Sequence, residues 1–366
     1  MKGYEARGMY PFELWITIAS WALGVGILTL PRLLAHSCET SDGWISLVIG
    51  GTLAAFFSWI SLTLTLRFPG ATFYEYTSRI VTKPVACVLT LLMAVHFLTF
   101  PAYVTRVLSD ISRLYLLYRT PMEVLTLAFI LILAYAASGS RAGLIRLNVL
   151  FLPIVLFILV AALGLNGKDV ETDNLLPAFV TPSGRIWEGV QTGAFSFISS
   201  DILLFYGTLL ERKKGAARAV WIGMAIITIL YILIYIVSVG VFSREATEQI
   251  MYPTIEMAKK VEFPGVLFER FELIFLTTWI MTIFNTCVMA LDISVWSVRM
   301  IFPKWNKTLT TVSLSTLVYI ATAIPANTPE RDAFGQWIGY DGLVLAILLP
   351  TLLLVIAMLR RIPHQT

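Results

Sequence analysis

The sequence is divided into ten long apolar runs, and no other feature limits its fold as strongly. They lie at about 11–34, 44–66, 84–107, 122–138, 148–166, 188–210, 219–242, 268–297, 309–326 and 341–359. A helix needs about 20 apolar residues to cross a bilayer. The runs are continuous rather than alternating, which speaks against a transmembrane β-barrel. With 57% of 366 residues apolar and 14% charged, a soluble fold would expose too much of this surface. Disorder needs the reverse, low hydrophobicity and high charge. The expectation is an all-α polytopic membrane protein with ten transmembrane helices. The first run is too long for the apolar part of a signal peptide and carries no A-x-A site, so it reads as a span.

Charge sets the orientation. With the N-terminus inside, the inner segments hold 16 Lys and Arg and the outer segments hold 8; Arg32, Arg106 and Arg270 sit near span ends. Basic loops stay in the cytoplasm, so both termini are expected there. Two connections have the make-up of short surface helices, 70–82 and 243–263. No linker marks a second domain.

Two runs are interrupted. The first contains Gly24-Val25-Gly26-Ile27-Leu28 and then Pro31. Each glycine weakens a helix by about 1 kcal/mol relative to Ala. The sixth contains Gly193-Ala194-Phe195-Ser196-Phe197-Ile198-Ser199-Ser200-Asp201, where small and polar residues and an acid replace Leu and Ile. Irregular backbone at membrane depth is tolerated only where protein or water covers it. Breaks five spans apart fit a five-plus-five inverted repeat, with halves at about 11–166 and 188–359, whose broken helices meet at the midplane. Close helix packing at Gly-x-Gly is the plainer alternative.

Polar groups inside the runs are the candidate functional residues. Asp201 could meet a ligand ammonium, bind a proton, or pair with Arg212 or Lys213 at the boundary. His96 could sense protons or contact ligand, or only bond a carbonyl. Pro101 kinks the same span and frees a carbonyl near Phe97. Glu269, Arg270 and Glu272 open the eighth run and could latch a gate or form a hydrated interfacial cluster. Thr278, Thr282 and Asn285 share one helical face, as glue or as cavity lining. Asp292 is expected to snorkel to the inner interface. The three cysteines make no disulfide framework, and no CxxC, HExxH or His/Cys cluster suggests a metal. No cofactor is expected. No nucleophile–base–orienter trio points to an enzyme. The run Glu211-Arg212-Lys213-Lys214 reads as a cytoplasmic loop, not a nucleic-acid site.

GVGILTLPR (24–32), SDGWIS (41–46), FPGATFYEY (68–76), NLLPAF (174–179), YPTIEMAKKVEFPG (252–265) and FERFE (268–272) carry a family resemblance over residues 8–360. The chain resembles the spore germination permeases. These are the B subunits (GerAB type) of nutrient germinant receptors, within the amino acid–polyamine–organocation superfamily. The resemblance implies a leucine-transporter-like fold in the spore inner membrane, with an A-type subunit and a lipoprotein C-type subunit as partners. The family's sixth span usually carries a Pro-Phe-x-Glu-like stretch. Here the residues are Phe197 to Asp201, so the acid survives as Asp201 or is displaced by one position.

The expected ligand is a small zwitterion or similarly small polar nutrient. Its carboxylate would meet free amides around Gly24, Val25 and Gly26, and its ammonium would meet carbonyls or hydroxyls near Phe195, Ser196 and Ser199. Phe97, Pro101, Thr282 and Thr286 would form the side-chain wall. His96, Asp201, Glu269, Arg270 and Glu272 are the gating or ion-coupling candidates. A germinant sensor fits this arrangement, and so does an ion-coupled amino-acid permease.

Overall fold

The computed structural model describes residues 8–24, 26–261 and 270–361. Within them the chain is helical wherever the apolar runs predict it, and the only β pairing is a bridge between Met9 and Leu210. The helices are α1 (Pro11–Ala22), α2 (Gly26–Cys38), α3 (Gly43–Thr65), α4 (Phe73–Ile80), α5 (Lys83–Tyr115), α6 (Met122–Ser138), α7 (Arg141–Asn166) and α8 (Ser183–Ala194). They continue with α9 (Ser200–Tyr206), α10 (Ala216–Phe242), α11 (Arg244–Gln249), α12 (Pro253–Lys260), α13 (Phe271–Ile301), α14 (Lys307–Thr322), α15 (Thr328–Leu343) and α16 (Leu349–Leu359).

Among the described residues, six helical stretches are long and apolar enough to cross a membrane, and the bent pair α1–α2 adds a seventh. The shorter α6 and α14 and the interrupted α8–α9 occupy the remaining expected spans. The last span differs from expectation. One helical stretch runs from Thr328 to Leu359, through a π turn at Val344–Leu348, where the apolar pattern suggested a start near 341. Thr328–Tyr340 is polar enough to read as loop, but Asn327 caps it by accepting from the Glu330 amide.

The exposed surface is that of a membrane protein. On α7, Leu150, Ile154, Phe157 and Val160 all face outward; α14 does the same with Leu309, Val312, Leu317 and Ile320. These recur at helical spacing and form apolar belts that water would not tolerate. Inside the bundle, α13 packs along α5, and α10 packs against both α1 and α3. Two loops carrying conspicuous sequence motifs lock together at one end. Asp42 is buried and accepts four hydrogen bonds, from the amides of Phe179, Val180 and Thr181 and from the Thr181 hydroxyl. Burial acts to raise its carboxyl, but these bonds outweigh burial and hold it below the ordinary carboxylate range. Ser41 donates to the Leu175 carbonyl 2.8 Å away.

Candidate functional site

Two helices break, and they break against each other. α1 and α2 meet at a 58° bend. At the bend Gly24 N–H turns back to the Ala22 carbonyl (2.8 Å), which leaves the regular helical acceptors of that turn without their usual donors. Hydroxyls from elsewhere in the fold replace them. Thr286 on α13 donates to the Ser20 carbonyl at 3.3 Å and Tyr231 on α10 to the Ala22 carbonyl at 2.6 Å. Just inside α2, Pro31 has no N–H to offer the Ile27 carbonyl, and Thr254 on α12 donates to it at 2.7 Å. The second break separates α8 from α9 through a tight turn at Phe195–Phe197 and extended backbone at Ile198. The Tyr231 hydroxyl also lies 3.4 Å from the Ser196 carbonyl, so one side chain touches both breaks. A Cβ on Gly26 would collide with the Ser196 side chain, whereas at Gly24 the same position is open space. Glycine is therefore required at 26 for the two breaks to approach this closely.

Behind the second break stands a buried charged group. Nδ1 of His96 on α5 lies 2.8 Å from Asp341 on α15, and Nε2 lies 3.4 Å from Asp201 on α9. Three glycines on α15 permit this approach. Cβ atoms at Gly335, Gly339 and Gly342 would press on Tyr103, Phe195 and His96 respectively. Just beyond them the π turn frees a carbonyl, and Ser200 at the start of α9 donates to that of Ala346 at 2.7 Å. α9 is braced further by Tyr76, whose hydroxyl donates to the Leu204 carbonyl at 2.9 Å, and by Phe73 stacked on Phe205.

Between the breaks lies a cavity of about 30 Å³ bounded by Gly24, Gly26, Phe195, Ser196, His96 and Asp201, with Trp21, Phe100 and Ile338 among its other walls. That is room for a water or two and too little for an amino acid. Six of the sequence candidates thus come together. Val25 and Glu269 lie outside the described residues. The others sit elsewhere. Phe97 packs against Trp21 and Phe205, and Pro101 is buried within α5. Ser199 turns toward Ser58 and the Met224 sulfur, both 3.1 Å away. Thr282 borders a separate small cavity with Ile27 and Trp279. Thr286 donates to a carbonyl of the first break, that of Ser20, and does not line the cavity.

Of the two readings for the charges that open the eighth run, the pairing seen is the local one. Arg270 is 63% exposed and pairs at 2.9 Å with its near neighbour Glu272, and among the described residues no ion pair joins it to another helix. The buried latch at that end of α5 is Arg331, which meets Asp110 at 2.7 Å and Asp332 at 2.8 Å. Asp292 does not snorkel. It is buried and held by Arg141 at 2.6 Å, whose guanidinium lies over the Trp296 ring. Asp341, Tyr231 and Thr254 had no place in the sequence reading.

The model of the family described as spore germination protein matches residues 9–331. The chain belongs to this family. Among its spore germination relatives, GerLB of Bacillus cereus is 37% identical over 351 residues, covering 95% of this chain and 94% of that protein. YndE of Bacillus subtilis (strain 168) is 31% identical over 349 residues, covering 94% and 95%. The fold is that of leucine-transporter-like proteins. Mhp1, a nucleobase-cation-symport-1 family transporter in a closed conformation, superposes with a TM-score of 0.70 at 16% identity, covering 98% of this chain and 80% of its own. MhsT in complex with L-phenylalanine gives 0.67 at 10% identity, covering 95% and 88%. This chain is accordingly a spore germination membrane protein with a transporter-like fold.

Proposed function

We propose that the chain is the membrane subunit of a nutrient germinant receptor and binds a small zwitterionic nutrient where its two helix breaks meet. The observation that carries this reading is the shared cavity between the breaks, in a chain of the spore germination family. The ligand carboxylate is received by amides of the first turn of α2, which opens at Gly26 and presents the positive end of its dipole; the Gly24 amide is already bonded to the Ala22 carbonyl. The ammonium turns toward the Phe195 and Ser196 carbonyls, beside Asp201. Because the cavity is too small for an amino acid, admission of the nutrient requires the helices around it to part. That opening and reclosing is the two-state element a ligand can bias, through its different affinity for the two states.

In this reading an A-type subunit and a lipoprotein C-type subunit detect the change. The chain sits in the spore inner membrane with both termini cytoplasmic, as its basic residues favour. Its halves, about 11–166 and 188–359, are the two repeats that move against each other. The ligand is an amino acid or a similarly small polar nutrient. MhsT, of the same fold, binds L-phenylalanine, which supports an amino-acid ligand by analogy of fold alone.

The test is germination of spores deleted for this chain, challenged with a panel of L-amino acids and then complemented. Loss of the response to at least one amino acid, restored by complementation, supports the receptor. Unchanged responses to the whole panel would remove the reading. A second reading, an ion-coupled amino-acid permease, is favoured by the transporters that share the fold. Ligand-stimulated uptake by vesicles holding this chain alone would select it.

A further inference from the structure

The buried triad His96–Asp201–Asp341 fixes how many protons it holds. Each ring nitrogen faces a carboxylate oxygen, at 2.8 Å and 3.4 Å. A carboxylate without a proton cannot donate, and each contact needs a proton between its two atoms. Two contacts therefore need two protons. Either the imidazole is doubly protonated between two carboxylates, or it is singly protonated and one aspartate is a carboxylic acid. Both arrangements carry a net charge of −1, one proton more than a neutral ring between two carboxylates.

Among the described residues, no hydrogen bond or ion pair joins these three groups to another charged side chain. Arg106 and Asp110 on α5 lie near one another at one end of that helix, where Asp110 also holds Arg331. On α15, Arg331 binds Asp332, and on α13, Asp292 belongs to Arg141. Lys307 on α14 donates to the Gly139 carbonyl, and Glu75 on α4 caps its own helix at Thr72. The members of the triad differ in surroundings. His96 and Asp201 are buried and both line the cavity between the breaks, whereas the Asp341 side chain is 32% exposed. Asp201 is also the loosely held carboxylate, with the longer contact to the ring.

We propose that His96, Asp201 and Asp341 form a proton-binding site that exchanges its proton for the cationic end of the ligand. This rests on the ligand reading above only for the identity of the exchanging cation. When an ammonium enters the cavity it brings one positive charge to Asp201. One proton leaves the triad from the side of His96 and Asp201, which line the cavity, and passes to water there when the helices around the cavity part. The charge around Asp201 is unchanged, so the ammonium is received there without an uncompensated buried charge, which would be costly in the membrane, while the ligand carboxylate is answered separately by the amides and positive dipole end of α2. Proton and ligand are then competitors. The nutrient concentration giving half response rises as pH falls, by up to about tenfold per pH unit for one proton exchanged.

The test uses the full-length protein in nanodiscs with its histidine rings labelled with ¹⁵N. The sequence has three histidines, His36, His96 and His364, and His96→Gln assigns the resonances of interest. A titration of the His96 ring whose midpoint moves by a unit or more in Asp341→Asn supports the site. A His96 ring that does not respond to pH, or responds identically in Asp201→Asn and Asp341→Asn, overturns it. If either Asn variant fails to fold, Asp341→Glu keeps the carboxylate and must still move the midpoint. The exchange is read separately, by adding each L-amino acid. An amino acid that stabilises the protein against heat and also displaces the His96 titration supports the exchange. One that stabilises the protein and leaves the titration unmoved overturns the exchange while the ligand reading stands. If no amino acid stabilises it, the ligand reading and the exchange both fall, and the titration still decides the proton site.

Discussion

The two broken helices are held open by different chemistry. At the first break the freed carbonyls are met by three neutral hydroxyls, those of Thr286, Tyr231 and Thr254, each from a different helix. At the second, hydroxyls of Tyr231, Ser200 and Tyr76 also take part, but the adjoining helix is in addition anchored by charge, through Asp201, His96 and Asp341. Neutral hydroxyls exchange partners at small electrostatic cost and do so alike at any ordinary pH. A buried charged group does neither. The first break is thus suited to move with ligand, and the second to set the conditions under which movement is allowed.

The largest expected effect falls where the breaks touch. Gly26→Leu places a side chain where the Ser196 side chain already lies and fills the space between α2 and the Phe195–Phe197 turn. Overpacking costs about 1–3 kcal/mol, which most membrane folds survive. The nutrient response should be abolished while immunoblots of purified membranes still find the protein. An unaltered dose response would mean the breaks do not enclose the ligand.

Next come two single-hydroxyl deletions, one at each break. Ser200→Ala leaves the Ala346 carbonyl of the π turn buried without its donor. Tyr231→Phe takes one of two donors from the Ala22 carbonyl, which keeps the Gly24 amide, and removes the contact to the Ser196 carbonyl. Losing such a bond costs about 1 kcal/mol, and an orphaned buried acceptor about 1–3 kcal/mol. If that cost falls on one of the two conformations, it shifts the half-response concentration by about 5–150-fold. The comparison predicts a difference in pH behaviour. Tyr231→Phe should shift the dose response equally at pH 6 and pH 8, because no titrating group takes part at the first break. Ser200→Ala loosens α9, which carries Asp201, so its shift should differ between the two pH values. Equal behaviour of the two variants would erase the distinction between the breaks.

Much of this architecture was legible in the sequence, and the failures have physical causes. The breaks could be read because Gly24, Gly26 and the Ser-rich sixth run violate the composition a spanning helix needs. Their partners could not. Tyr231 and Thr254 are ordinary residues of helices far away in sequence, and only the fold brings them to a free carbonyl. Asp341 was hidden by a boundary. With the last span begun at 341 the acid looked interfacial, whereas the helix in fact starts at Thr328 and places it well inside. The spacing Gly335, Gly339, Gly342 was the available signal, since small residues three or four apart mark a close helix seam in membranes. The threonines of α13 misled in the opposite way. Thr278 and Thr282 do share a face and border a small cavity, but it is not the one between the breaks, and their hydroxyls donate to carbonyls one turn back in their own helix.

The smallest effect is expected at Arg270, and it separates charge that is merely present from charge that is buried. The sequence placed Arg270 and Glu272 at the mouth of the eighth span, where a latch between helices could set the response. The structure pairs them with each other, two residues apart, on a side chain that is mostly exposed. Such a pair contributes about 0–1 kcal/mol and is screened by salt. Because both partners belong to one chain segment, their attraction changes little when helices move. Arg270→Gln should therefore shift the nutrient titration by no more than a few-fold and leave the amount of membrane protein unchanged. Arg331→Gln is the contrast. That guanidinium is buried and joins α15 to Asp110 on α5, so its loss strands a carboxylate and should cost several-fold more in response or in abundance. Nutrient titrations and immunoblots on the two variants decide it. If Arg270→Gln proves the more damaging, an exposed local pair controls the outer helices, and the assignment of control to buried groups in this fold is wrong.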